Sequence, residues 1–149
     1  MDKARKEFDN VIAIDPGTEK CGLAVVGIHG EIRLQEIVPV PRLLGRVAAL
    51  AREYGPAVIV VGDRTGAVRF MELIELGGVA DLVVGVETVD EHLTSQEARK
   101  RYLEERRSKK PWPYRIIPLG MQVPDQPYDD YVAVILAERY LGNTYKGRD

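Results

Sequence analysis

The chain has 149 residues, the size of one ordinary domain, and its 45% hydrophobic and 30% charged content is typical of a globular protein. The one cysteine, Cys21, excludes a disulfide framework and a cysteine-based zinc site within the chain. No apolar run approaches the length of a membrane span, and the charged N-terminus lacks the apolar core of a signal peptide. We therefore expect a cytoplasmic protein that does not contact a membrane.

The net charge of −2 is distributed unevenly along the chain. The segment from Arg99 to Arg115 carries a charge of +6, so the rest of the chain carries −8. A basic segment on an acidic body predicts a face that binds polyanions such as nucleic acid. The candidate side chains for phosphate contact or base stacking are Lys20, Arg106, Arg107, Lys109, Lys110, Trp112 and Arg115. The alternative is a solvated helix face followed by a proline-braced loop in which the tryptophan covers the core.

The first strong structural signal is a hairpin around Asp15. Residues 11–14 form a continuous apolar run, which predicts a strand buried on both faces of its sheet, and a second apolar run covers 22–28. Asp15 then lies where a buried strand reaches the surface, and a carboxylate there is costly unless a cation meets it. We expect Gly17 and Gly22 to let a backbone or a ligand approach closely. The alternative is that Asp15 only stabilises the turn.

Beyond the hairpin, apolar periodicity predicts three more strands and four helices. The strands are expected at 32–40, 57–61 and 82–89, and the helices at 43–54, 64–76, 94–107 and 129–141. Thr94 and Glu97 match the capping-box pattern at the start of the third helix. We expect a flexible leader at 1–9, one domain over 10–142 with an exposed loop at 108–127, and a frayed tail at 143–149.

The predicted order is three antiparallel strands followed by alternating helices and strands. The last two strands must return parallel through helical crossovers, which are right-handed. This order resembles that of the ribonuclease H-like fold. We therefore predict an α/β protein with a mixed five-stranded sheet, three antiparallel strands and then two parallel strands, flanked by helices.

Acidic residues recur at the ends of the predicted core elements. They are Asp15, Asp63, Asp90, Glu91, Asp129 and Asp130. Ligands of α/β sheets gather at the carboxyl ends of the strands, so several of these acids should converge. Two carboxylates about 4 Å apart repel by roughly 4 kcal/mol at an effective dielectric constant near 20, and a bound cation relieves that. Oxygen ligands without cysteine favour Mg²⁺ or Mn²⁺, and the hypothesis is metal-assisted hydrolysis of nucleic acid.

Each acid also has a structural alternative. Asp63 is placed to cap the helix that follows it, and either Asp129 or Asp130 is placed to cap the last helix. Asp90 and Glu91 are equally compatible with a solvated strand end. The recurrence of acids at four separate element ends is what favours a shared site.

Three segments resemble the YqgF/RuvX family of Holliday-junction-resolvase-like proteins, also described as nucleases of precursor ribosomal RNA. Residues 15–25 are similar to its Asp-Phe-Gly-Thr-Lys-Arg-x-Gly-x-Ala-Val hairpin, and residues 90–98 to its Asp-Glu-Arg-Leu-Ser/Thr-Thr-x-Glu-Ala segment. The third segment is the closing helix with Asp129 and Ala133. The three occur in the family's order and span nearly the whole chain.

The resemblance implies a ribonuclease H-like hydrolase that uses Mg²⁺ or Mn²⁺ to cut structured nucleic acid, either branched DNA such as Holliday junctions or, in rRNA processing, precursor ribosomal RNA. It implies catalytic roles for Asp15, Glu91 and Asp129. The metal ligands are then expected among Asp15, Asp63, Asp129 and Asp130. The expected state is a monomer or a homodimer: a resolvase that cuts two strands symmetrically needs a dimer, whereas a ribosomal RNA nuclease does not.

The chain also departs from the family pattern. Pro16 replaces the usual aromatic residue, Glu19 replaces a basic residue, and His92 replaces the arginine of the middle segment. Asp63 follows a strand at a position where the related RuvC resolvases carry an acid, and Asp130 fits their spacing better than Asp129. Two alternatives stay open: a nucleic-acid-binding module that has lost activity, and half of a phosphate-binding ATPase of the actin and sugar-kinase type.

Overall fold

The computed structural model describes residues 7–64, 66–92, 94–107 and 128–146. The strands are β1 (Asn10–Asp15), β2 (Lys20–Gly27), β3 (Ile32–Pro39), β4 (Ala57–Gly62) and β5 (Gly85–Val89). The helices are α1 (Val40–Tyr54), α2 (Ala67–Leu76), α3 (Thr94–Arg107) and α4 (Asp129–Lys146), with a short 3₁₀ helix at Val79–Leu82. None of the helices in the described ranges is both long enough and apolar enough to cross a membrane.

The strands form one mixed sheet in the order β3-β2-β1-β4-β5. β1 pairs antiparallel with β2, and β2 pairs antiparallel with β3. β1 pairs in parallel with β4, and β4 pairs in parallel with β5. The predicted fold class is therefore confirmed, and β1 lies at the centre of the sheet as its continuous apolar run indicated.

The alternating side chains of β1 serve two separate cores, one on each face of the sheet. Ile12 and Ile14 pack with α1, α2 and the 3₁₀ helix, whereas Val11 and Ala13 pack with α4. All four side chains are fully buried. Because α3 packs against the outer side of α4, that helix is buried from Val132 to Ala137 without interruption.

Some predicted boundaries are wrong, and each has a local cause. α2 starts at Ala67 rather than at Arg64, because the backbone N–H of Arg64 donates to the side chain of Glu91, which follows β5. β5 starts at Gly85 rather than at Leu82, because Leu82 is the last residue of the 3₁₀ helix and Val83 and Val84 form a bend after it. At the start of α3, the Thr94 hydroxyl donates to the Glu91 carbonyl oxygen at 2.7 Å. Glu97 accepts from Arg139 at 2.9 Å rather than completing a capping box.

The ends of the described chain are tied to the domain. The Asp9 N–H donates to the Pro56 carbonyl oxygen at 2.9 Å, and the ring centres of Phe8 and Tyr140 lie 6.1 Å apart. α4 continues to Lys146, so it is longer than the helix that periodicity predicted. Residues 1–6 of the predicted leader, the loop at 108–127 and residues 147–149 of the tail lie outside the described residues.

Candidate active site

The carboxyl ends of β1, β4 and β5 meet at one edge of the sheet. β1 ends at Asp15, β4 ends at Gly62, and Glu91 follows β5 by two residues. Asp15 is half-buried, whereas only 1% of the Glu91 side chain is exposed. The solvated strand end considered for Glu91 is therefore wrong, and this carboxyl group belongs to the interior of the sheet edge.

The turn after β4 holds Glu91 in place. The Arg64 N–H donates to Glu91 Oε2 at 2.9 Å, and Asp63 Oδ1 accepts the Glu91 N–H at 3.1 Å. A Cβ atom on Gly62 would collide with the Glu91 carboxyl group, so only glycine at the end of β4 allows this placement. Glu91 Oε1 is buried and has no hydrogen-bond partner among the described residues.

Asp15 faces Glu91, so two carboxyl groups lie close together at this edge of the sheet. Burial, a hydrogen bond to Glu91, and the negative charges of Glu91 and Asp129 raise the pKa of Asp15 from 3.8 to about 8, while the positive charge of Arg64 acts in the opposite direction. The pKa rises because removal from water and a neighbouring acid both disfavour the ionised form of a carboxyl group.

The start of α4 reaches the same edge through a close backbone contact. Gly22 is paired with Asp15 across the hairpin, and a Cβ atom on Gly22 would collide with the Asp129 carbonyl oxygen. The expected close approach at Gly22 is therefore confirmed. At Gly17, a Cβ atom would collide with the Lys20 carbonyl oxygen, so the turn also needs glycine there.

Asp129 and Asp130 have different surroundings. Asp129 contributes negative charge at Asp15. Asp130 Oδ2 accepts from Gln35 Nε2 of β3 at 3.0 Å, and the pKa of Asp130 is raised mainly by burial. Of the two candidates that the sequence left open, Asp129 is the one whose charge acts on Asp15.

The other predicted acids have structural partners. Asp63 is exposed, and it accepts the Glu91 N–H instead of capping α2. Asp90 is exposed as well, and its Oδ1 accepts the His92 N–H at 2.8 Å. Within the described part of the chain, no group of three or more His, Cys, Asp or Glu side chains is arranged to hold a metal ion.

The donor chemistry of the pair nevertheless fits a divalent cation. The facing groups are carboxylates, which are the ligands of Mg²⁺ and Mn²⁺. Glu91 Oε1 lacks a donor among the described residues, and a cation would favour the ionised form of Asp15, whose pKa is raised to about 8 without one. A buried acceptor without a partner costs about 1–3 kcal/mol, and a cation at this oxygen removes that cost.

Of the predicted nucleic-acid-binding residues, three lie in the described ranges. Lys20 is exposed at the start of β2, beside the turn that follows Asp15. The Arg106 guanidinium lies 5.2 Å from the centre of the Tyr102 ring, and Arg107 is the last residue of α3. Lys109, Lys110, Trp112 and Arg115 lie outside the described residues.

Two residues of the site had no predicted role in the sequence, namely Gly62 and Arg64. The available signal was a Gly-Asp-Arg triplet directly after a run of buried β-branched residues. Glycine at a strand end indicates close approach, but the sequence does not show which side chain approaches.

Comparisons with known proteins give a similarity of fold. No family model and no curated protein matches the sequence. Among solved structures, RuvC from Thermus thermophilus is similar, with a TM-score of 0.57 and 18% sequence identity over 93% of this chain and 95% of the RuvC chain. The chain therefore has the ribonuclease H-like fold of RuvC, with three antiparallel and two parallel strands flanked by helices.

Proposed function

We propose that this protein is a divalent-metal-dependent endonuclease that acts on structured nucleic acid. The observation that carries the proposal is the buried Glu91 carboxyl group, which faces Asp15 and has one oxygen without a donor among the described residues. Two carboxyl groups held close together in a buried site do not stabilise a fold. Such a pair therefore indicates a binding site for a ligand.

In this proposal, Asp15 and Glu91 hold Mg²⁺ or Mn²⁺, and Asp129 is the third carboxylate at the site. Asp63 supports the site by fixing the Glu91 backbone, and Asp130 supports it by fixing the start of α4 to Gln35. When bound, the metal supplies a Lewis acid that polarises the phosphodiester and activates water. The residues of the chain orient the carboxylates, and Asp15 would hold the cation in its ionised form.

The substrate class follows from two similarities. RuvC is a Holliday junction resolvase, and its likeness in fold supports branched DNA. The resemblance of three sequence segments to the YqgF/RuvX family supports precursor ribosomal RNA as the second substrate class. The basic side chains predicted to bind phosphate suit either polymer, because phosphate contacts carry no sequence information.

A second candidate function is a nucleic-acid-binding module without catalytic activity. One observation favours it: the described residues contain no preassembled group of three metal-binding side chains. Such a module would bind nucleic acid in chelator and would cleave nothing when Mg²⁺ or Mn²⁺ is added.

The test is Asp15→Asn, which keeps the size of the side chain and removes its charge. We expect the variant to fold and to lose Mg²⁺- or Mn²⁺-dependent cleavage of a four-way DNA junction and of a precursor ribosomal RNA fragment. The matched control is Asp81→Asn, at an exposed position of the 3₁₀ helix, which should cleave at the rate of the unmodified chain. Cleavage that survives in Asp15→Asn would remove this residue from the mechanism, and an unmodified chain that cuts neither substrate would favour the binding module.

A further inference from the structure

Arg64 lies at the mouth of the carboxylate pair, in the turn between β4 and α2. Its side chain is 52% exposed, in contrast to the buried Glu91 beside it. Its Nη1 atom donates to Ser95 Oγ in the first turn of α3 at 3.2 Å. Its Nε atom lies 3.6 Å from Glu91 Oε2. The guanidinium therefore spans the opening between the turn after β4 and the start of α3.

The side chain of Arg64 is not what orients Glu91. The backbone N–H of Arg64 already donates to Glu91 Oε2 at 2.9 Å, and any residue other than proline at this position supplies the same bond. The Nε–Oε2 distance of 3.6 Å is longer than a hydrogen bond. The guanidinium therefore contributes positive charge at this edge rather than a fixed geometry for Glu91.

The positive charge of Arg64 lies among negatively charged side chains. Of the neighbouring charges that act on Asp15, those of Glu91 and Asp129 are negative and that of Arg64 is positive. A nucleic-acid phosphate that approaches this edge meets acids that repel it. An exposed guanidinium offers a planar fork of donors that binds phosphate oxygens well.

We infer that the Arg64 guanidinium contacts the phosphate of the nucleic-acid strand that enters the Asp15–Glu91 site. The inference rests on the proposed function, because it takes nucleic acid as the ligand of this edge. It assigns to Arg64 a phosphate-binding role that a purely structural ion pair with Glu91 would not have.

The experiment measures binding of a four-way DNA junction and of a stem-loop RNA in EDTA, where metal-dependent cleavage does not occur, over a series of salt concentrations. Each phosphate contact contributes about −0.9 to the slope of log K against log salt for duplex DNA. We expect Arg64→Gln to weaken binding by about tenfold at low salt and to make the slope shallower by about 0.9. Arg64→Lys keeps the charge, so it should keep the slope.

The matched control is Arg52→Gln, which removes the same charge at the opposite edge of the sheet. Arg52 is exposed in the last turn of α1, and the carbonyl of nearby Tyr54 accepts from Asn10 at the start of β1. We expect this variant to bind with the affinity and salt slope of the unmodified chain. Thermal unfolding of each variant shows that it is folded at the assay temperature.

The outcomes separate this inference from the proposed function. An unchanged slope in Arg64→Gln, a slope in Arg64→Lys as shallow as that of Arg64→Gln, or an equal loss in Arg52→Gln would overturn the phosphate contact and leave the nuclease proposal standing. A shallower slope in a chain that never cleaves would support the contact and overturn the nuclease. An unmodified chain that binds neither polymer would overturn both.

Discussion

The buried polar groups at the two ends of strand β1 differ in whether they have hydrogen-bond partners. At its start, Asn10 is only 7% exposed and fully paired: its Nδ2 donates to the Tyr54 carbonyl oxygen at 2.9 Å, and its Oδ1 accepts from Arg33 Nε at 2.6 Å. At its end, Asp15 faces Glu91, whose buried Oε1 lacks a donor among the described residues. The same strand therefore carries one satisfied polar site and one unsatisfied site.

The contrast separates a structural joint from a ligand site. A buried polar group that has hydrogen-bond partners has a small net effect on the free energy of unfolding. A buried polar group without a partner lowers that free energy by about 1–3 kcal/mol. At the start of β1, the amide of Asn10 links α1 to β3, and both of its polar atoms already have partners within the protein. At the end of β1, the cost persists in the free protein, and a cation would remove it.

The largest expected effect is on catalysis, and Glu91→Gln tests it. The amide keeps the shape of the side chain but removes the charge that would hold the metal, so we expect metal-dependent cleavage to fall by at least about a hundredfold. In chelator, the free energy of unfolding should stay the same or rise at the alkaline pH at which Asp15 ionises, because the negative charge beside it is gone. Single-turnover cleavage and denaturant unfolding measure the two quantities.

The matched control for this variant is Glu75→Gln on the exposed surface of α2, which should change neither quantity. Cleavage at the unmodified rate in Glu91→Gln would exclude this carboxylate from the mechanism. A large loss of stability instead would make the end of β1 a structural joint like its start.

The second effect is a pH dependence of stability in chelator. Between pH 3.8 and about 8, folded Asp15 keeps a proton that the unfolded chain has released, so the native state binds more protons. The free energy of unfolding therefore falls as pH rises through this window, by up to roughly 1.4 kcal/mol per pH unit from this one group. Added Mg²⁺ should recover stability most strongly at the alkaline end, because it binds the ionised form.

Asp15→Asn isolates this contribution from all other titrating groups. The difference in unfolding free energy between the unmodified chain and Asp15→Asn, measured from pH 4 to about 9, should decrease with rising pH and level off above about 8. A difference that stays constant across this range would mean that Asp15 ionises normally and that its contact with Glu91 is loose.

Much of the fold could be predicted because each strand carries a local signal. The apolar runs in β1, β2 and β4 are continuous, and turns with glycine or proline separate them, so the order of the elements along the chain could be predicted from these local signals. β5 was harder, since the apolar residues before it are equally suited to a strand or to the 3₁₀ helix and bend that they form. Only packing against α1 and α2 decides between the two.

The site could be predicted in part. Asp15 and Asp129 follow from their places at element ends, because such ends meet at one edge of the sheet. The burial of Glu91 could not be predicted, since it depends on the absence of a side chain at Gly62, which is 29 positions away in the chain but adjacent in the sheet. The role of Asp63 as an acceptor for the Glu91 backbone depends on the same long-range contact.

The smallest expected effect is at the paired end, and Asn10→Ala tests it. The variant removes both hydrogen bonds and leaves the Tyr54 carbonyl and the Arg33 guanidinium to find water, at a cost of about 1–3 kcal/mol. A chain of this size should lose roughly 2–4 °C in Tm per kcal/mol. Asn10→Asp keeps the acceptor for Arg33 and loses only the donor to Tyr54, so we expect it to lose less stability than Asn10→Ala.

Cleavage decides whether the two ends of β1 are independent. The strand rises about 3.4 Å per residue, which places the ends roughly 17 Å apart, so Asn10→Ala should cleave at the unmodified rate wherever it is folded. Unfolding curves set the temperature at which the rates are compared. A folded Asn10→Ala that cleaves slowly would show that the paired end holds the carboxylates in place, and the division of β1 into a structural end and a ligand end would then be wrong.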